Sequence, residues 1–437
     1  MHWWLSMKKV KLKDIANIYN GNSINARAKA EKYCFNVPAW NYIGTKDIDF
    51  DGTVNYDTGV KIPFEEKGFK IAPANCVFVC SEGGSAGKKT AHITQEVCFG
   101  NKLYAIVNNK NLFVSKYVYY YTRYREFFEQ FKALMSGIIG GVSSKKFGEI
   151  EIPLLSLQKQ QRIVEKIEEL FSKLDKGVEE LNKIKEQLKI YRQAVLKEAF
   201  SGKLTKSKKI ERDVYSLYQS IKERNNKKFQ SEEIQLYELP SGWMWIHIGD
   251  ITDGVEYGSS KKSQKSGSVP VLRMGNIQNG IFEWSDLAYS SDEDEICKYL
   301  LRNNDVLFNR TNSPELVGKT AIYRDEQKAI FAGYLIRINQ YDVINAKYLN
   351  YYLNSFTAKM YGNMVKTDGV NQSNINGKKL CSYPFPLCTP EEQELVVKEI
   401  ESRLSVCDKI EQTVNESLQK AESLRQSILK QAFEGGL

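Results

Sequence analysis

Histidine is scarce in this chain and cysteine is scattered. Of 437 residues only His2, His92 and His247 are histidines, and none stands beside a second histidine or a cysteine at ligand spacing. A zinc site therefore lacks a ligand set, and a histidine-based catalytic triad has little to draw on. The three imidazoles read as surface or half-buried side chains. Eight cysteines are present, and no two form a CxxC pair. In a long chain without a secretion signal they read as thiols in a reducing compartment. No run approaches the ~20 apolar residues that span a bilayer. Met1-His2-Trp3-Trp4-Leu5-Ser6-Met7 is too short for the apolar core of a signal peptide, and Met7 is an expected alternative start. Neither sign of charge dominates: 62 Lys and Arg against 53 Asp and Glu leave +9. With 42% hydrophobic and 26% charged residues the composition is that of a globular protein, which excludes disordered and collagen-like chains. At ~150 residues per domain the length suggests roughly three domains.

Enzymatic motifs are also missing. Glu82-Gly83-Gly84-Ser85-Ala86-Gly87-Lys88 resembles a phosphate-binding loop, but the glycine five residues before the Gly-Lys pair is Glu82, and Lys89 replaces Ser or Thr. Gly318-Lys319-Thr320 ends correctly, but Ser313 replaces the first glycine. No Asn-Pro-Pro-Tyr or Asp-Pro-Pro-Tyr run marks an amino-methyltransferase centre. The triplets Glu65-Glu66-Lys67 and Glu326-Gln327-Lys328 have the ExK form found in some nucleases, but no upstream aspartate context supports them.

What the chain does have is an internal repeat. Residues 153–204 lie on 386–437 with a constant shift of 233 and no gap, and about 18 of 52 positions are identical. Arg192-Gln193 matches Arg425-Gln426; Lys197, Ala199, Phe200, Gly202 and Leu204 match Lys430, Ala432, Phe433, Gly435 and Leu437. The likeness extends upstream more loosely, as in Leu12-Lys13-Asp14-Ile15 with Ile248-Gly249-Asp250-Ile251. The chain reads as two copies of one unit, each a globular part followed by a helix.

Gln158 to Phe200 contains no proline, and only Gly177 interrupts its helix formers. Ile167, Leu174, Leu181, Leu188 and Val195 hold one heptad row, with Leu170, Gly177, Ile184 and Tyr191 as the second. The second copy keeps Ile400, Cys407, Val414, Ala421 and Ile428 in one row; Arg403, Ile410, Ser417 and Leu424 form a weaker one. A 3.5-residue repeat of this length signals a coiled coil. Ile167, Leu174, Leu181, Leu188, Val195, Ile400, Val414, Ala421 and Ile428 are the expected helix-pairing residues. Two copies related by a pseudo-two-fold axis would pair their helices antiparallel within one chain, as a homodimer does. Two core helices of one large domain are the alternative.

The globular parts hold short β-type runs such as Val77-Phe78-Val79, Leu103–Val107 and Val306-Leu307-Phe308, with one helix expected in each copy, over 116–134 and 346–361. This reads as α+β. Polar and basic loops lie between these elements. Asn, Thr, Gln, Arg and Lys side chains read base edges and hold phosphates. The candidate DNA-binding residues are Asn22, Arg27, Lys88, Lys89, Lys145 and Lys146 in the first copy. In the second they are Lys261, Lys262, Arg273, Asn309, Arg310, Thr311, Asn312, Lys319, Asn371, Gln372 and Asn374. Solvated turns without a ligand are the alternative for any one loop. Between the copies runs a basic linker in which Val214, Leu217, Tyr218 and Ile221 have helical spacing and predict a short docking helix. The expected division is 1–152, 153–204, 205–237, 238–385 and 386–437.

These residues carry a family resemblance. Leu239-Pro240-Ser241-Gly242-Trp243 leads into Ile248-Gly249-Asp250-Ile251 and Val271-Leu272-Arg273-Met274-Gly275-Asn276-Ile277. Asn304–Ser313, Val317–Ala321 and Asn371-Gln372-Ser373-Asn374-Ile375 follow, and a long helix ends Ala432-Phe433-Glu434-Gly435. The whole resembles the specificity (S) subunit of type I restriction–modification enzymes. The resemblance implies two target recognition domains separated by two long antiparallel helices, each domain reading half of a bipartite DNA site in phage defence. It also implies two methyltransferase subunits that hold S-adenosylmethionine, restriction subunits that use ATP and Mg, no cofactor or catalytic centre on this chain, and a bacterial or archaeal cytoplasm. The first copy departs from the pattern: Cys80-Ser81-Glu82 stands near where the second has Arg310-Thr311-Asn312, which weakens residue-level transfer there. A self-contained nuclease or methyltransferase and a scaffold without DNA binding remain alternatives.

Overall fold

The computed structural model describes residues 8–34, 38–136, 140–205, 214–224 and 236–436. Met7, Leu437 and the linker residues Lys206, Lys208, Lys209, Arg212, Lys227 and Lys228 lie outside the described residues. The chain is α+β and divides into two compact units, Met1–Asn182 with Asn415–Leu437, and Lys183–Val414. Each unit thus takes one globular domain and a segment of both long helices. No described helix is long and apolar enough to cross a membrane.

In the first unit the main sheet is antiparallel, in the order Asn17–Asn20, Leu103–Val107, Cys76–Cys80, Thr90–Ile93. Cys76–Cys80 is buried along its whole length: Val77 and Val79 pack toward the helices, Cys76, Phe78 and Cys80 toward a second sheet. Two covered faces explain an unbroken apolar run where a half-exposed strand would alternate. The second sheet contains a parallel pair, Tyr42 opposite Cys98 and Ile43 opposite Phe99. The second unit repeats the pattern. Its main sheet runs Thr252–Tyr257, Leu335–Gln340, Val306–Asn309, Thr320–Ile322, and its second sheet pairs Val271 with Ile330 and Leu272 with Phe331 in parallel.

The ends of each domain are tied together. Lys9–Lys11 pairs with Glu151–Pro153, and Met244–His247 with Pro384–Leu387, just before each long helix starts. Buried glutamines fix those starts. Gln160 Nε2 donates to the carbonyls of Leu155 (2.8 Å) and Leu112 (3.2 Å), while its Oε1 accepts from the Val114 N–H (2.8 Å). Gln393, 233 residues on, does the same with Cys388, Val343 and Asn345.

The single helix expected in each domain is two. Ser115–Thr122 and Arg125–Leu134 are separated where Tyr124 turns extended, and Ala346–Leu353 and Phe356–Val365 where Ser355 leaves the helix and caps the next by accepting from the Ala358 N–H. Serine at that position satisfies an otherwise orphaned donor. The linker helix spans Val214–Arg224, with Val214 and Ile221 buried against the second domain.

The long helices run Leu157–Phe200 and Pro390–Glu434. At 1.5 Å per residue each is about 66 Å long. Within each unit their segments are antiparallel. In the second, Arg192 donates to Asp408 (2.7 Å) and Glu411 (2.9 Å), and Glu198 faces Arg403. In the first, Arg425 pairs with Asp175. Arg425 is Arg192 shifted by 233, and Asp408 is Asp175 shifted by 233, so both units use one latch. Ile167, Leu188, Val195, Ile400, Val414, Ala421 and Ile428 are buried; Leu174 and Leu181 are half-buried. The second row is a correction. It lies one residue later than the apolar pattern indicates, at Phe171, Val178, Lys185 and Arg192 and at Leu404, Glu411, Leu418 and Arg425. Ile184, Tyr191, Ile410 and Leu424 instead stand 36%, 46%, 40% and 49% exposed. Half of the true row is charged, and Arg192, Glu411 and Arg425 meet their partners by ion pairing, so hydrophobic spacing cannot find it.

Each domain grips the helices through an aromatic socket. Phe433 sits edge-on to Tyr117 (5.2 Å between ring centres) and Tyr121 (5.1 Å). Phe200 sits edge-on to Tyr348 (5.1 Å) and Tyr352 (5.2 Å). The phenylalanine that follows one domain in the chain is thus seated on the other.

Candidate nucleic-acid interface

The polar loops of the second domain converge on a three-stranded ribbon. Thr311–Asn312 pairs with Ser373–Asn374, which pairs with Thr367–Asp368. Six candidates, Arg310, Thr311, Asn312, Asn371, Gln372 and Asn374, are brought together here. Side chains stiffen the ribbon: Asn374 Nδ2 donates to Thr311 Oγ1 (2.7 Å), Lys379 Nζ to Thr367 Oγ1 (2.6 Å), Lys366 Nζ to the Pro314 carbonyl (3.2 Å), and Ser373 Oγ to the Asp368 carboxylate. Arg310 lies over the Tyr257 ring at 4.8 Å, which holds its guanidinium at the ribbon base.

Other candidates of this domain are spent on the fold in varying degree. Lys319 Nζ donates to Gln278 Oε1 (3.2 Å), and Lys359, which still reaches solvent, is pushed to a lower pKa first by partial desolvation and then by the Lys319 charge. Lys261 pairs with Asp292 (2.7 Å), which raises its pKa; Lys262 is exposed. Arg273 donates to the Asp286 carbonyl (2.7 Å). Asn309 is a correction. It is fully buried, with neither amide atom hydrogen-bonded, because strand alternation turns it inward on the side of Leu307. A base edge cannot reach it.

The first domain builds the same ribbon in reduced form, as single bridges joining Glu82 to Gly141 and Gly141 to Ser136. The Val142 N–H donates to the Ser81 carbonyl as the Ile375 N–H does to Arg310. Ser143 then caps a short helix that carries exposed Lys145 and Lys146, and Asn376 caps the equivalent helix with Lys378 and Lys379. Lys378 is absent from the sequence-based candidates, although its shift of 233 from Lys145 was a usable signal. Lys88 is exposed, while Lys89 donates to the Thr45 carbonyl (3.2 Å) and covers the Phe50 ring. Arg27 pairs with Glu31 on an exposed helix. Asn22 is a second correction: its amide donates to the Gly68 carbonyl (3.1 Å) and accepts from the Lys70 N–H (2.7 Å), so its hydrogen bonds hold a loop. Among the described residues, no three of His, Cys, Asp and Glu are grouped as metal ligands.

Comparison with known proteins follows the same division. The sequence profile of the type I restriction modification DNA specificity domain matches twice, over residues 5–189 and 240–420. The chain is 28% identical over 377 residues to the type I restriction enzyme EcoKI specificity subunit of Escherichia coli strain K12, covering 84% of this chain and 76% of that one. It is 28% identical over 378 residues to the StySPI specificity subunit of Salmonella potsdam, with 84% and 76% covered. Among solved structures it is similar to a chain of a type I R-M system, with TM-score 0.71, 17% identity and 98% of each chain covered. It is also similar to the HsdS subunit from Thermoanaerobacter tengcongensis, with TM-score 0.53, 17% identity, and 98% and 97% covered. At such identity the two structures speak for the fold.

Proposed function

Since the chain belongs to the type I restriction modification DNA specificity family, we propose that its two domains each read one half of a bipartite double-stranded DNA site. The chain is a DNA sequence-specificity subunit. The observation that carries the bipartite reading is the repetition of one ribbon at one place in both domains with different side chains on it. Equivalent scaffolds bearing unlike loops suit two unlike half-sites. Base edges are read from the ribbon by Arg310, Asn312, Asn371 and Gln372, while the bond between Asn374 and Thr311 braces it. Phosphates are held by the flanking lysines, including Lys88, Lys145, Lys146, Lys262 and Lys378.

In this reading the chain is not itself catalytic. It places two methyltransferase subunits, which bring S-adenosylmethionine, and restriction subunits, which bring ATP and Mg, on the site that it has read. The continuous helices set the gap between half-sites. One inserted turn adds ~5.4 Å, one or two base pairs of ~3.4 Å.

The test is a methylation map of DNA modified by the chain assembled with its methyltransferase subunits. One bipartite motif is expected, and the purified chain alone should transfer no methyl group. Four residues inserted after Lys183, matched by four after Glu416 to keep the antiparallel register, should widen the gap and leave both halves unchanged. A continuous motif, or methylation by the chain alone, contradicts the reading.

A further inference from the structure

The hairpin between Thr367–Asp368 and Ser373–Asn374 has an unusual tip. Its residues are Gly369, Val370, Asn371 and Gln372, closed by the Gly369 N–H donating to the Gln372 carbonyl at 2.7 Å. Val370 is 99% exposed. Turns favour Gly, Asn, Asp, Ser and Pro, and a β-branched apolar side chain held wholly in water contributes nothing to this fold. Asn371 and Gln372 beside it are also exposed, and their amides make no side-chain hydrogen bond among the described residues. The stem, by contrast, is tied on both sides by Asn374, Lys379 and Ser373. A stiff stem thus carries one apolar and two amide groups outward together.

That trio matches one ligand. In the major groove an A·T pair offers the adenine N6/N7 pair, which an Asn or Gln amide reads with two hydrogen bonds, and beside it the thymine 5-methyl group, which takes an apolar contact. The groove, about 12 Å wide, admits a β-ribbon. We infer that the tip of this hairpin reads an A·T pair, with Val370 against the thymine methyl and the amide of Asn371 or Gln372 on the adenine. The inference rests on the proposed reading of half-sites and adds a base pair and a residue to it.

Replacing thymine by deoxyuridine removes the methyl group and leaves every hydrogen-bonding group in place. Each thymine of the bipartite target is replaced in turn, and binding is measured for the chain assembled with its methyltransferase subunits. At one or more positions confined to one half-site, binding should weaken about three- to fivefold, the effect of one buried methyl group. Val370→Ala should weaken binding to the thymine site by a similar factor and erase the difference between thymine and deoxyuridine, with thermal unfolding unchanged. Uniform indifference to deoxyuridine, or a sensitivity that persists in Val370→Ala, overturns the inference. If the complex still selects a bipartite site in that case, the proposed function stands without it. If it selects none, both fall.

Discussion

The two recognition domains share a core and differ in charge. Residues 8–153 carry 21 Lys and Arg against 14 Asp and Glu, a net +7; residues 238–385 carry 16 against 16, a net of zero. The faces differ in kind as well. The second helix of the first domain shows solvent an Arg125–Glu129 ion pair, where the second domain shows Phe356, 59% exposed, and Met360, 40% exposed. The interiors do not differ in this way: the sheet orders, the glutamine staples and the aromatic sockets repeat. Core positions answer to the same packing problem twice, whereas surface loops answer to two different ligands. The modest overall +9 therefore conceals one basic domain and one of balanced charge.

The largest expected effects test the shared part. Phe433→Ala and Phe200→Ala each remove a buried ring from equivalent sockets, and each should cost about 3–5 kcal/mol. Amide hydrogen exchange should locate the loss of Phe433 in the unit of residues 1–182 and that of Phe200 in the unit of residues 183–414. Deprotection in the opposite unit would break the assignment of each helix end to its socket.

Smaller effects probe the unlike part. The pairs Lys145/Lys146 and Lys378/Lys379 are equivalent in position but not in availability, because Lys379 is bonded to Thr367. Lys145→Ala with Lys146→Ala should reduce the slope of log K against log salt by about two. Lys378→Ala with Lys379→Ala should reduce it by about one. Equal reductions would mean that the charge difference between the domains has no bearing on DNA contact.

The smallest effect is a pH dependence carried by a histidine of the first domain. His92 lies on the strand position that Ile322 holds in the second domain, and burial pushes its pKa below the usual histidine value. The unfolded chain therefore binds the proton more readily, and the contribution of neutral His92 is lost as pH falls through about 6.5. His92→Gln should slightly flatten the acid-side stability loss of the first unit, followed by thermal unfolding between pH 5 and 8. An unchanged profile would place the acid sensitivity elsewhere.

Much of this was legible in the chain because repetition and apolar spacing are linear properties. The shift of 233, the proline-free helix ending at Phe200, the apolar run at Cys76–Cys80 and the short helix at Val214 each depend on neighbours along the sequence. The helix breaks at Tyr124 and Ser355 were missed because they depend on backbone turns with no proline to mark them. The second pairing row was missed because ion pairs such as Arg192–Asp408 join residues more than two hundred positions apart. The candidate site divided along the same line. Residue type picked out Asn309 and Asn22 as readers, but burial removes the first and loop hydrogen bonds occupy the second. Val370 had no polar group to draw notice.

The sequence by itself determined that one unit occurs twice, that each copy couples an α+β domain to a long helix, and that the family is one of DNA specificity. The first two follow from composition and period and the third from a resemblance carried by motifs, and all of these survive without coordinates. Only the tertiary structure decided that each helix end seats on the domain of the other copy, and which polar side chains face outward. Seating and exposure depend on which distant surfaces meet, and a buried asparagine and an exposed one are the same letter until the chain has folded.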